Sequence, residues 1–150
     1  MSVDAETLLA DEERGWLELT EVFGDVPPER FDEPGVTDEG WSPKDVMYHV
    51  ARWAEEAATV LGRIAAGTHR GGDVDTDSLN AEWHEVGRGL DDDVVRIRFS
   101  KGRVAMRQAF ARLADVTPAA WEWFHESGAR HYDEHLPDLQ AFLERGTDRP

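Results

Sequence analysis

Apolar residues recur at three- and four-residue steps along almost the whole chain, the period of amphipathic helices. In the first segment Leu9, Trp16, Leu19 and Phe23 share a face, with Leu8 and Val22 beside it. This predicts a helix from about Asp4 to Phe23, ended by Gly24 and the pair Pro27–Pro28. Residues 25–41 are rich in Asp, Glu, Pro and Gly and read as a long connection, of a length that is often functional. A second helix starts with Ser42 as cap, Pro43 at the first helical position and Asp45 in the first turn. Val46, Val50, Trp53, Ala57, Val60 and Ile64 continue it to a stop at Gly67.

The segment GTHRGGDVDTD at 67–77 reads as a loop, after which Asp77 or Ser78 caps a short helix through about Arg88. A long helix is predicted from about Asp91 to Ala114, with three aspartates at its positive end. Val95, Phe99, Gly102, Met106, Ala109 and Leu113 form its inner stripe, and Gly102 is expected to permit tight packing. Thr117–Pro118 opens a short helix through Trp121–His125. The last helix runs from about Ala129 to Arg145, with Pro137 expected to kink it. Val94–Phe99 is the one β-like run, and strong helix formers follow it. The pattern therefore predicts an all-α protein: an antiparallel four-helix bundle with a long first connection and short accessory helices, in which the long connections do not guarantee simple up-down neighbours.

Composition narrows the function. A chain of 150 residues fits one domain over 1–150. It has no cysteine, which excludes disulfides, cysteine metal sites and a cysteine nucleophile. Sixteen basic against 32 acidic residues give a net charge of −16, which repels nucleic-acid phosphates and anionic lipid. No apolar run reaches the roughly 18–20 residues of a membrane span. The start lacks the basic and apolar regions of a signal peptide, so a cytoplasmic protein is expected.

Candidate chemistry lies in the six histidines. His131 and His135 are one helical turn apart on one face, a spacing that offers two nitrogens to one ion. A solvated pair is the plain alternative. Glu134, between them, is about 60° or more away from either on a helical wheel, and the order is not that of a zinc protease. His49 stands about 60° from Val46 and Ile64, at the edge of its helix's buried stripe. Such a histidine is commonly a hydrogen-bonded core residue; facing the other two, it would complete a three-nitrogen set with open coordination positions.

Asp45 and Glu56 share His49's side of the helix, and Asp138 follows His135 by three residues. Each is a candidate to orient a ligand or move a proton, with a solvated carboxylate as the alternative. Trp41 is expected to staple the helix entry and Trp53 to pack in the core. Asp73, Asp75 and Asp77 imitate the start of a calcium loop, but Ser78 and His84 stand where Gly and Glu are needed.

The segment from Trp41 through Ser42, Pro43 and His49 to Trp53, together with His131-Tyr-Asp-Glu-His135-Leu, resembles the DinB/YfiT-like superfamily. That group includes bacillithiol- and mycothiol-dependent S-transferases, mycothiol-dependent maleylpyruvate isomerase and ClbS-type self-resistance proteins. The resemblance implies a DinB-like four-helix bundle in which His49, His131 and His135 hold a divalent ion. Zinc is the first expectation, and imidazole donors equally suit nickel, iron or copper. It also implies a small electrophilic substrate, mycothiol as a cosubstrate, and thiol transfer, isomerisation or hydrolysis in a detoxification role. Arginine outnumbers lysine 14 to 2, a bias compatible with a GC-rich bacterium and thus with mycothiol. Two alternatives stay open: a ClbS-like protein that binds or hydrolyses a reactive natural product, and a non-catalytic binding or dimerisation module, such as a homodimer, with a vestigial site.

Overall fold

The computed structural model describes residues 2–147. Among these residues it is all-helical: α1 (Ser2–Gly24), a 3₁₀ turn (Pro28–Arg30), α2 (Pro43–Ala66), α3 (Thr76–Gly87), α4 (Asp92–Ala111), α5 (Pro118–Ser127) and α6 (Ala129–Thr147). Val94–Phe99 is helical, within α4. The start of α2 is fixed by a reciprocal cap. The Ser42 hydroxyl accepts from the Asp45 N–H at 3.1 Å, and the Asp45 carboxylate accepts from the Ser42 N–H at 3.0 Å. Gly67 closes the helix in the left-handed conformation, φ 75°, which costs a glycine little. Asp75, rather than Asp77 or Ser78, caps α3 by accepting from the Ser78 N–H.

The four long helices α1, α2, α4 and α6 form the bundle, and its order differs from a simple up-and-down arrangement. Lys44 meets Asp92, Glu55 meets Arg98, and Ala58 and Gly62 share a groove with Ala105 and Ala109. Positions rise together, so α2 and α4 run parallel. Gly15 approaches Ala129 and Tyr132, and Arg30, just after α1, reaches Phe142, so α1 and α6 are also parallel. Leu9 lies by Arg107, Glu12 by Arg103 and Trp16 by Phe99, so α1 opposes α4. The expected antiparallel pairing therefore holds between the two pairs and not within them.

Parallel neighbours need a return path. The 24 residues of α2 span about 36 Å, and the chain comes back through the loop at 67–75 and α3. Asn80 on α3 meets Trp53, and Gly87 meets Tyr48, so α3 descends along α2. A Cβ on Gly87 would lie 2.4 Å from the Tyr48 ring, which requires glycine there. Gly102 brings α4 onto α2 in the same way. A Cβ there would sit 3.1 Å from the Ala51 carbonyl oxygen, in agreement with the tight-packing expectation.

The long first connection crosses one end of the bundle. Val26, Phe31 and Val36 are buried in it, and Arg96 covers the Phe31 ring at 4.0 Å. Buried Lys44 pairs with Asp92 at 3.0 Å and Asp32 at 3.6 Å, tying this connection to α2 and α4. Trp16 stacks on Phe99 at 4.4 Å between ring centres, and Leu19, Phe23, Val46, Val50 and Tyr132 fill the same apolar cluster.

A carboxylate lies inside the bundle. Glu12 has no exposed surface, on the apolar stripe of α1. Its carboxylate accepts two bonds from Arg103, at 2.7 and 2.9 Å, one from Arg107 at 2.6 Å and one from the Tyr132 hydroxyl at 2.8 Å. Burial is the largest influence on its acidity and pushes the pKa up. The hydrogen bonds from Arg103, Tyr132 and Arg107 and the charge of Arg103 together outweigh it, leaving the carboxyl below its ordinary value. Burial and the Glu12 charge hold the Tyr132 hydroxyl well above its usual range, so it stays a donor.

Glu12→Gln is expected to cost about 3 kcal/mol in urea unfolding near neutral pH, the scale for breaking a buried pair. A depressed carboxyl stabilises fully above its unfolded value of about 4.3, and the effect is lost as pH falls through the folded value. The stability gap between wild type and variant should therefore narrow on acidification below about pH 4.

Candidate metal centre

Three histidines from two helices meet at one end of a large cavity. His49 comes from α2; His131 and His135 come from successive turns of α6. One ring nitrogen from each lies within 4.8 Å of the other two. The Nε2 atoms of His49 and His131 are 2.9 Å apart, and ring centres lie 4.7–5.0 Å apart in edge-on contacts. His131 is buried, and His49 and His135 are partly buried.

At 2.9 Å one of the two facing Nε2 atoms must donate and the other accept, so at least the accepting imidazole is neutral. Burial pushes His49 down to about 3, with the neighbouring His135 adding to the effect. Burial also lowers His131, followed by the charges of His49 and His135. His135 is lowered by burial, although Glu134, Asp138 and Glu39 pull the other way. Two nitrogens remain without a partner: His131 Nδ1 and His135 Nε2 are buried and make no hydrogen bond. Buried imidazole nitrogens without a partner, on three histidines gathered this closely, fit a transition-metal ion, for which neutral imidazole is a common donor.

The cavity has a volume of about 1040 Å³ and opens to solvent. The lining face of α2 carries His49, Trp53, Glu56, Val60 and Arg63, at alternating steps of four and three. Trp53 thus lines the cavity rather than packing wholly in the core. Its indole N–H donates to Asn80 at 2.8 Å, and its ring meets Trp83 edge-on and Trp123 at 6.4 Å. Trp41 also belongs here rather than acting only as a staple. Its ring lies edge-on to His49 at 5.0 Å and stacks on His84 at 5.1 Å.

The carboxylate candidates separate. Glu56 lines the cavity. Asp45 is engaged in the α2 cap and stands 3.5 Å from His84 Nε2. Asp138 is exposed and reaches His135 only through its charge. Glu134, placed away from the histidines by an ideal helical wheel, lines the cavity, since a glutamate on the flank of an open site is long enough to reach it. Glu122, Trp123 and Glu126 on α5, which the sequence analysis does not single out, also line the cavity. The 49-53-56-60-63 spacing was the sequence signal for a cavity-facing stripe, because His, Glu and Arg interrupt an otherwise apolar face.

The family model described as "Mycothiol maleylpyruvate isomerase N-terminal domain" matches residues 4–140. The chain belongs to this family. It is thereby a member of the DinB-like superfamily, and the matched span contains the three histidines and the whole cavity lining. No curated protein and no solved structure gives a match. Among the described residues, no helix of this family member is long and apolar enough to cross a membrane.

In metal-free protein, the ring protons of His49 and His131 should show no titration between pH 5 and 8 by NMR. Their folded pKa values lie below the unfolded value of about 6.5, so charging them opposes folding. Their contribution to stability is full above about pH 6.5 and declines as pH falls toward the folded values.

Proposed function

We propose that this protein is a metal-dependent enzyme that uses a thiol to act on a small electrophilic molecule, by thiol transfer or isomerisation. The observation that carries the reading is the neutral three-imidazole cluster with its partnerless buried nitrogens at the head of a cavity. Membership of a family whose name records mycothiol and maleylpyruvate supports the thiol and the reaction class. The chain has no cysteine, so the sulfur must come from a cosubstrate.

His49, His131 and His135 are the ligands we assign, with zinc the first expectation. A divalent ion supplies Lewis-acid polarisation and lowers the pKa of a thiol or water. The chain's own groups do the rest. Burial keeps the three imidazoles unprotonated and ready to donate lone pairs. Trp41 fixes the orientation of His49 by edge contact, and Trp53 and Trp123 give the substrate an apolar wall. Glu56 is the carboxylate on the lining face of α2 and the group we assign to accept or return a proton. The proposed role is detoxification of reactive small molecules in the cytoplasm.

Metal analysis of protein purified without chelator should find about one divalent ion per chain. His131→Ala should bring this close to zero, because two imidazoles rarely retain a catalytic ion. His69→Ala, outside the cluster, should leave it unchanged. Mycothiol-dependent consumption of an electrophile should disappear with the metal. Stoichiometric metal in His131→Ala would contradict the reading.

A further inference from the structure

The cavity beside the histidines is acidic as well as aromatic. Six carboxylates and two guanidiniums line it, a net of −4 with the histidines neutral. The charges are not evenly mixed. On α2, Glu56 stands about 10 Å along the helix axis from His49, and Arg63 about 21 Å, at 1.5 Å per residue. Glu134 adjoins His135 in the chain, and Glu122 and Glu126 bracket Trp123, which faces Trp53 one turn from His49. Carboxylates therefore flank the histidine end, and Arg63 marks the far end.

These carboxylates are not consumed by the fold. Among the described residues, Glu56, Glu122 and Glu134 form no ion pair with an arginine or lysine, and Glu126 has only an exposed pair with Arg130. His131, 6% exposed and on the cavity wall, keeps a nitrogen without a partner. The indoles of Trp53 and Trp123 present π surface among the acids. Carboxylates around aromatic faces are the surroundings that favour an organic cation. The overall charge of −16 adds a field of the same sign.

We propose that the substrate of this site is cationic: a small molecule that carries an amine or guanidine group near its reacting centre. A dicarboxylate placed at the histidine end would bring its charges against Glu56, Glu122, Glu126 and Glu134, which disfavours it there. This names the substrate class for the function proposed above and rests on the same cavity, but it does not depend on the metal.

The test is a pair of probes that share a phenylethyl body and carry opposite charge, phenethylamine and 3-phenylpropanoate, titrated against tryptophan fluorescence at pH 7 and physiological salt. The decisive arm uses EDTA-treated protein, because a carboxylate could ligate zinc directly. The ammonium probe should bind at least about ten-fold tighter. In the Glu56→Gln/Glu122→Gln variant that preference should fall below about three-fold. Equal or reversed preference overturns the proposal, as does no measurable binding of phenethylamine at about 10 mM. A preference unchanged in the double variant also overturns it, since the field of the whole protein would then be the cause. Zinc stoichiometry measured on the same preparation before EDTA treatment separates the outcomes. Absent metal with an intact charge preference refutes the enzyme reading alone, and bound metal without the preference refutes the cationic substrate alone.

Discussion

The site depends on a carboxylate that does not line it. Glu12 is fully buried and holds Arg103 and Arg107 of α4 and Tyr132 of α6 to α1. Tyr132 is the residue after His131, about 100° around the helix. Fixing the tyrosine hydroxyl on Glu12 at 2.8 Å fixes the rotation of α6, and that rotation turns His131 and His135 toward α2. A buried ion pair is a poor source of net stability, because desolvation offsets most of the attraction. Here it specifies how α6 is turned, which an apolar contact would define less sharply.

The second constraint is the close approach of α2 and α4. Ala51, Ala54 and Gly102 let these helices lie together in parallel, and the parallel direction obliges the chain to return through α3. That return supplies Asn80 and Thr76, and the loop before it supplies His69 and Arg70, to the cavity wall. The same arrangement puts α2 rather than α4 against the histidine face of α6. One packing choice thus builds both the bundle and the chamber beside it.

Much of this was legible in the sequence because it is local. The Ser42–Asp45 cap, the stop at Gly67 and the helical period through Val94–Phe99 depend on neighbours within one or two turns. The pairing of His131 with His135 is likewise a matter of one turn. That His49 joins them was implied by resemblance, since no local rule relates positions 82 residues apart. Helix direction was not legible, because an amphipathic stripe does not say which neighbour covers it. Glu12 was passed over although it interrupts the stripe of Leu8, Trp16 and Leu19. A charged residue on an apolar face is itself a sign of a buried partner. Trp53 was assigned to the core by its spacing, and its second face, toward the cavity, is visible only once α3 and α5 are placed around it.

The central claim is that three imidazoles from two helices hold one ion. X-ray absorption at the zinc edge, on zinc-loaded protein, measures that directly. The account predicts a nitrogen and oxygen shell near 2.0–2.1 Å whose outer-shell scattering fits three imidazoles. A fit to one imidazole or none, with carboxylate oxygens in their place, would contradict it.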